Sequence, residues 1–108
     1  MSKINIFLNN YINQLSKQLL KINSIQLNLA ANEILKTIRK KKTIFVCGNG
    51  GSAAISNHYI CDFLKFFRQK TNLKPKIISL SDNIETITAI SNDMDYKYIF
   101  SYQAESLC

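Results

Sequence analysis

The stretch from residue 43 to residue 62 constrains the fold of this chain more than any other part of the sequence. It opens with an apolar, β-branched run at residues 43–47, which predicts a buried strand. A glycine cluster at residues 48–51 ends that strand, and a helix is predicted to begin at Ser52. In a strand–glycine loop–helix unit, backbone N–H groups and the helix N-terminus converge on an anion. We therefore expect the functional site at this loop.

Apolar spacing predicts the elements on either side of the loop. Intervals of three and four residues over 4–22 and 27–38 predict two amphipathic helices, with Ser24 as a possible N-cap of the second. The loop helix is expected to continue to Phe67, and a second strand is expected at residues 76–80 after Pro75. Strand, helix and strand predict a parallel pair. Helices at 84–90, capped from the turn at 81–83, and at 96–107 follow.

These elements predict an α/β fold class, in which N-terminal helices precede the first half of a doubly wound, flavodoxin-like parallel sheet. The chain has 108 residues, which is room for one small domain. We expect a single, partial domain over residues 1–108, with residues 1–41 as an N-terminal helical segment. The apolar face of the first helix is expected to be buried against a partner chain, and packing on the sheet is the alternative.

Charge and composition narrow the classes of function. The formal net charge is +7, and the densest basic run, residues 39–42, lies at a predicted helix end, where cations complement the helix dipole. No aromatic residues alternate with the lysines as a stacking platform for nucleic acid requires, so we expect no nucleic-acid partner. No apolar run approaches the length of a membrane span, and no signal peptide is recognisable. We expect a cytoplasmic protein without a membrane partner, whose positive field suits an anionic small molecule.

The three cysteines are too widely and irregularly spaced for a disulfide framework or a metal-binding pair. We expect Cys47 and Cys61 to be buried as small hydrophobic residues.

His58 and Asp62 stand four residues apart on the predicted loop helix and therefore share one face. Such a pair can hold a divalent metal ion or act as a base and its orienting group. It can equally be a surface pair or a core histidine bonded to a carboxylate. The loop also fits the dinucleotide fingerprint G-x-G-x-x-A, with Asp82 as a distant acidic residue, although about forty residues of helix precede the first strand.

Residues 44–54, Ile-Phe-Val-Cys-Gly-Asn-Gly-Gly-Ser-Ala-Ala, resemble the opening of the sugar isomerase (SIS) domain, and most closely that of the phosphoheptose isomerases. The resemblance continues at residues 79–83, 88–93 and 99–107, in the order expected for the family. It implies the SIS fold and isomerisation of sedoheptulose 7-phosphate to D-glycero-D-manno-heptose 7-phosphate for lipopolysaccharide precursors. It further implies a homotetramer that holds one zinc ion per site.

Position by position, the resemblance assigns roles to eight residues. They are the substrate-binding residues Asn49, Gly50, Gly51, Ser52, Asn92 and Asp93, and the metal ligands His58 and Asp62, of which Asp62 is also the catalytic base.

The sequence departs from the family pattern at two places. Asp62 stands where the typical enzyme has a glutamate, and because aspartate is one methylene shorter, a misplaced carboxylate can cost about 100-fold in rate. The family's serine-rich phosphate loop and its C-terminal glutamine and histidine would lie beyond Cys108. We therefore expect about half of an active site in this chain. Two other functions stay open, a non-catalytic SIS module that binds a sugar phosphate or a protein and a nicotinamide-binding fragment.

Overall fold

The computed structural model describes residues 1–108, which form two compact units, Met1–Glu33 and Ile34–Cys108. The helices and strands in chain order are α1 (Lys3–Leu19), α2 (Ser24–Arg39), β1 (Thr43–Val46), α3 (Gly51–Cys61), a π-helical segment (Asp62–Phe67), α4 (Arg68–Thr71), β2 (Lys76–Ser79), α5 (Ile84–Asp93), a 3₁₀ turn (Tyr96–Tyr98) and α6 (Ser101–Leu107). None of the helices combines the length and the hydropathy of a membrane span.

Both N-terminal helices begin at side-chain caps. The Ser2 hydroxyl accepts a hydrogen bond from the Asn5 N–H at 3.2 Å at the start of α1. At the start of α2, the side-chain oxygen of Asn23 accepts from the N–H groups of Ile25 and Gln26 at 3.0 and 3.1 Å. The expectation that Ser24 is the N-cap is therefore wrong by one residue, because the carboxamide of Asn23 reaches two of the helix's unpaired donors.

Helix α1 has the amphipathic pattern that its sequence predicts, but none of its residues is buried. Its rings of Phe7 and Tyr11 stack with their centroids 6.3 Å apart. The apolar side chains that share one face remain largely exposed: Ile4, Leu8, Tyr11, Leu15 and Leu19. A neutral, apolar stripe of this length on a helix surface is typical of an interaction face.

Strands β1 and β2 form the predicted parallel pair, with Thr43 opposite Lys76 and Val46 opposite Ser79. The Leu80 N–H continues the ladder by donating to the Val46 carbonyl at 2.9 Å. Around this sheet lies a small core of buried aliphatic side chains: Ile38, Ile77, Leu80, Ile90 and Ile99. All four residues of β1 are only half-buried. Parallel strands are normally covered on both faces, so β1 is less enclosed than is usual in this fold class.

The helix expected over residues 52–67 is divided in the structure. Helix α3 ends at Cys61, the π-helical segment follows, and α4 completes the run up to Thr71. Along this stretch the rings of Tyr59, Phe63 and Phe67 form a row with centroid separations of 4.8 and 5.3 Å. Apolar periodicity alone does not separate an α-helix from a π-helical insertion, because both keep the apolar residues on one side.

The C-terminal third agrees with the predicted pattern, with shifted ends. Asn83 caps α5 by accepting from the Thr86 N–H at 2.7 Å. Helix α5 continues three residues past the expected end at residue 90, and the expected helix at 96–107 is divided into the 3₁₀ turn and α6. At the junction, Gln103 donates to the carbonyls of Leu80 and Ile99 at 2.9 and 2.7 Å, which ties α6 to the end of β2.

The expectation that Cys47 and Cys61 are buried is wrong. All three cysteines are free and exposed. Cys47 lies one residue beyond β1 and Cys61 is the last residue of α3, and both are exposed to solvent.

Candidate functional site

The glycine loop, residues 47–50 between β1 and α3, makes a tight turn that leaves the start of α3 open. Gly50 adopts φ +54° and ψ −123°, a backbone conformation that side chains with a Cβ rarely take. The turn is closed by the Ser52 N–H, which donates to the Asn49 carbonyl at 2.9 Å. No side chain caps α3. The Ala53 N–H is likewise bonded, to the Gly50 carbonyl at 3.0 Å, so within the first turn of α3 the Gly51 N–H is the group left for a ligand. An anionic or hydroxyl-rich ligand suits this helix start.

Gly48 is the point at which the loop backbone comes closest to the helix. A Cβ built on Gly48 would lie 2.5 Å from the carbonyl oxygen of Ser52. Ser56, one turn further along α3, is buried, and its hydroxyl donates a hydrogen bond to the same carbonyl at 2.8 Å. Only glycine allows the end of β1 and the first turn of α3 to approach this closely.

Sequence analysis did not single out three polar residues that connect the loop to the neighbouring elements. They are Ser79 and Ser81, at and just after the end of β2, and Asn57 on α3. The Ser81 hydroxyl bonds the backbone of Gly48, and the Ser79 hydroxyl donates to the side-chain oxygen of Asn57 at 2.7 Å. One signal was available in the sequence. Ser81 follows β2 by two residues, and the carboxyl ends of parallel strands meet at one edge of the sheet, where ligands bind.

His58 and Asp62 meet on one face of the helix, as their spacing predicts. The Nε2 atom of His58 lies 3.3 Å from Oδ1 of Asp62, and the side chains are 73% and 55% exposed. A solvent-exposed pair of this kind contributes little to folding stability. Asp62 is also the first residue of the π-helical segment, an irregularity found frequently at functional sites.

The donor atoms of this pair fit two positions of a zinc site. Tetrahedral zinc with bonds of about 2.0–2.1 Å keeps neighbouring ligand atoms about 3.3 Å apart, which is the separation that His58 and Asp62 show. No group of three or more His, Cys, Asp or Glu residues is positioned to hold a metal ion. Within this chain the pair therefore offers two candidate donors, fewer than the four of a tetrahedral zinc site.

Asn92 and Asp93, the remaining predicted substrate residues, end helix α5. The Asn92 side-chain amide donates to the Asp93 carboxylate at 3.1 Å, and both side chains are exposed. They line a shallow surface depression together with Glu85, Thr88 and Ala89. The structure gives no hydrogen bond or ion pair between them and the glycine loop or His58. The loop residues and the His58–Asp62 pair thus belong to one strand–loop–helix unit, with the pair roughly two to three helical turns beyond the loop, and Asn92 and Asp93 lie on a separate element.

Comparison with known proteins places this arrangement in a family. The family model described as "SIS domain" matches residues 8–106, nearly the whole chain. The chain belongs to the SIS domain family. This membership argues against the dinucleotide interpretation of the same glycines.

Curated relatives of this chain include phosphoheptose isomerases. The chain is 38% identical over 77 residues to a phosphoheptose isomerase of Roseiflexus sp. (strain RS-1), a match that covers 71% of the chain and 39% of the relative. It is 35% identical over 81 residues to the phosphoheptose isomerase of Campylobacter concisus (strain 13826), covering 75% of the chain and 42% of the relative. The matches therefore span about two fifths of the length of these relatives.

The SIS fold is also found by structural comparison. The structure of phosphoheptose isomerase GmhA from Neisseria gonorrhoeae superposes with a TM-score of 0.76 at 24% identity, over 97% of this chain and 53% of that one. The predicted fold class, N-terminal helices followed by the first part of a doubly wound parallel sheet, is thereby confirmed. Helices dominate the part of the fold that this chain forms.

Proposed function

We propose that this chain provides the glycine loop and the His58–Asp62 pair of an aldose–ketose isomerase that converts sedoheptulose 7-phosphate to D-glycero-D-manno-heptose 7-phosphate. The observation that carries the proposal is the geometry of one unit, in which an uncapped helix start and a histidine–carboxylate pair 3.3 Å apart occur on the same helix. The names of the relatives support the substrate. The product would enter the synthesis of lipopolysaccharide precursors in the cytoplasm, where free cysteines are expected.

In the proposed reaction the substrate lies across the start of α3. The loop residues Asn49, Gly50 and Gly51, with Ser52, offer backbone and side-chain groups to the sugar phosphate, in the way that helix N-termini bind anions. Asn92 and Asp93 would contribute further polar contacts if the substrate extends to the end of α5. The net charge of +7 favours the approach of a phosphorylated sugar.

Isomerisation through an enediol requires a base that moves one proton between adjacent carbons. The Asp62 carboxylate is the proposed base. His58 and Asp62 would hold a zinc ion together with donors from elsewhere, and a bound zinc ion supplies a Lewis acid for the sugar oxygens. Since aspartate is shorter than glutamate, the carboxylate must reach the reacting carbon from a substrate that sits closer to α3.

We also propose that the functional protein is a homo-oligomer. The support is the apolar face of α1, which is exposed along its whole length. Homo-oligomers of soluble proteins usually bury apolar faces of this kind between copies.

The activity is tested by incubating the protein with sedoheptulose 7-phosphate and Zn²⁺ and following the product by ³¹P NMR. Replacing Asp62 with Asn (Asp62→Asn) should reduce turnover by about 10²–10⁴-fold, the usual contribution of a general base. Asp62→Glu retains the carboxylate but moves it by one methylene, so its loss of turnover should be smaller than that of Asp62→Asn, up to about 100-fold. Glu105→Gln on α6, an exposed carboxylate away from the loop, is the matched control and should leave turnover unchanged.

A second candidate, a non-catalytic SIS module, is favoured by one specific observation. The chain holds two candidate metal ligands, and no larger group of His, Cys, Asp and Glu residues is assembled. Saturable binding of sedoheptulose 7-phosphate without turnover, in the presence of Zn²⁺, would support this module and contradict catalysis. Turnover that survives Asp62→Asn would contradict the assignment of the base.

A further inference from the structure

The Ser81 hydroxyl bonds both backbone groups of one residue in the glycine loop. It accepts a hydrogen bond from the Gly48 N–H at 2.9 Å and donates to the Gly48 carbonyl at 2.8 Å. Both distances lie in the range of well-formed hydrogen bonds. These two bonds continue the pairing between the two strands beyond its last backbone bond, which joins the Leu80 N–H to the Val46 carbonyl.

Ser81 is itself held in place by α3 and by the end of β2. The Ser81 N–H donates to the Ser79 hydroxyl at 3.0 Å, and that hydroxyl, only 2% exposed, donates to Asn57 at 2.7 Å. The Asn57 amide makes a longer contact of 3.5 Å with the Ser81 carbonyl. Buried polar groups with all partners present fix one arrangement of the backbone around them.

The backbone of Gly48 packs closely against the start of α3. Because a Cβ on Gly48 would lie 2.5 Å from the Ser52 carbonyl oxygen, the backbone of Gly48 runs directly against the first turn of α3. The Ser52 and Ala53 N–H groups in turn bond the carbonyls of Asn49 and Gly50 at 2.9 and 3.0 Å. A continuous set of contacts therefore runs from Ser81 to the turn that exposes the helix N-terminus.

We propose that Ser81 is a positioning residue for the glycine loop. Through Gly48 it fixes the direction of the N–H groups at the start of α3, and Asn57 and Ser79 keep its hydroxyl in register. The part of this inference that concerns sugar-phosphate affinity rests on the proposed function. The part that concerns loop order does not.

The test compares Ser81→Ala, which removes the hydroxyl, with Ser81→Thr, which retains it. Ser106→Ala is the matched control, because the Ser106 hydroxyl is exposed and bonds only the Tyr102 carbonyl of its own helix at 3.4 Å. Amide hydrogen exchange is measured residue by residue at Gly48, Ser52 and Ala53 and compared with amides of α5. Affinity for sedoheptulose 7-phosphate is measured by NMR titration of the same samples.

Ser81→Ala should speed exchange at the loop amides about 10-fold, the effect of losing one or two neutral hydrogen bonds, and leave α5 unchanged. It should weaken sedoheptulose 7-phosphate binding by a similar factor. Ser81→Thr should restore both quantities to near the wild-type values, and Ser106→Ala should alter neither.

Unchanged exchange at the loop amides in Ser81→Ala would overturn the inference, and so would equal acceleration in α5, which would mean a general loss of stability. If the wild-type protein does not bind sedoheptulose 7-phosphate, the proposed function fails, and loop exchange alone decides the role of Ser81. If binding weakens while loop exchange is unchanged, Ser81 contacts the ligand directly and the positioning role is wrong.

Discussion

Of the neighbouring glycines at the junction of the loop and α3, Gly50 requires glycine for its backbone conformation and Gly51 does not. Gly50 has φ +54°, whereas Gly51 begins α3 with an ordinary backbone, and a Cβ on either would meet no atom within 4 Å. Gly50→Ala should therefore lower the free energy of unfolding by about 1–3 kcal/mol through backbone strain alone. Gly51→Ala should leave it unchanged or raise it by up to about 1 kcal/mol, because alanine restricts the unfolded chain. Urea unfolding of the two variants checks this.

The two alanine variants control for each other, since each adds a single methyl group into open space. Equal stability of both would show that the turn relaxes to a negative φ without cost and would contradict a fixed loop conformation. A larger loss in Gly51→Ala than in Gly50→Ala would place the strained residue elsewhere.

At the scale of single elements, local patterns in the sequence were sufficient to predict most of the fold. Short apolar runs with β-branched residues placed both strands, and three–four spacing placed the helices, because each pattern is set by residues that are close in the sequence. The π-helical segment Asp62–Phe67 was missed, since the spacing of four between Tyr59, Phe63 and Phe67 is equally compatible with an α-helix. The bonds from Ser81 to Gly48 were missed for another reason. They join residues 33 positions apart, and no local pattern encodes that distance.

The start of α2 supplies a prediction at this scale. Asn23→Ala removes the oxygen that accepts from Ile25 and Gln26, and should lower the free energy of unfolding by about 1 kcal/mol. Ser24→Ala is the matched control and should cost little, because no hydrogen bond of its hydroxyl is part of the cap. Circular dichroism during thermal unfolding measures both. If Ser24→Ala is the more damaging change, the cap has been assigned to the wrong residue.

At the scale of the whole molecule, the residues of the candidate site come from two separate parts of the chain. The loop and the His58–Asp62 pair were predictable, because residues 47–62 are sixteen consecutive positions on one strand–loop–helix unit. Asn92 and Asp93 were assigned by resemblance alone, and they lie on α5 without a bond to the loop. A site assembled from several elements depends on tertiary packing, and here the sheet that would organise it has only two strands.

The last prediction concerns the oligomeric state of the protein and the exposed apolar face of α1. Leu8 and Leu15 lie on that face and are 46% and 47% exposed, so charging them does not disturb a core within the chain. If α1 joins copies of the protein, Leu8→Glu combined with Leu15→Glu should shift it to the monomer, because buried like charges oppose association. Sedimentation velocity measures the change.

Asn9→Glu combined with Asn13→Glu adds the same charge to the opposite face of α1, where both side chains are exposed, and should leave the assembly intact. Dissociation by both double variants would indicate a general effect of charge, and dissociation by neither would exclude α1 as the contact between copies.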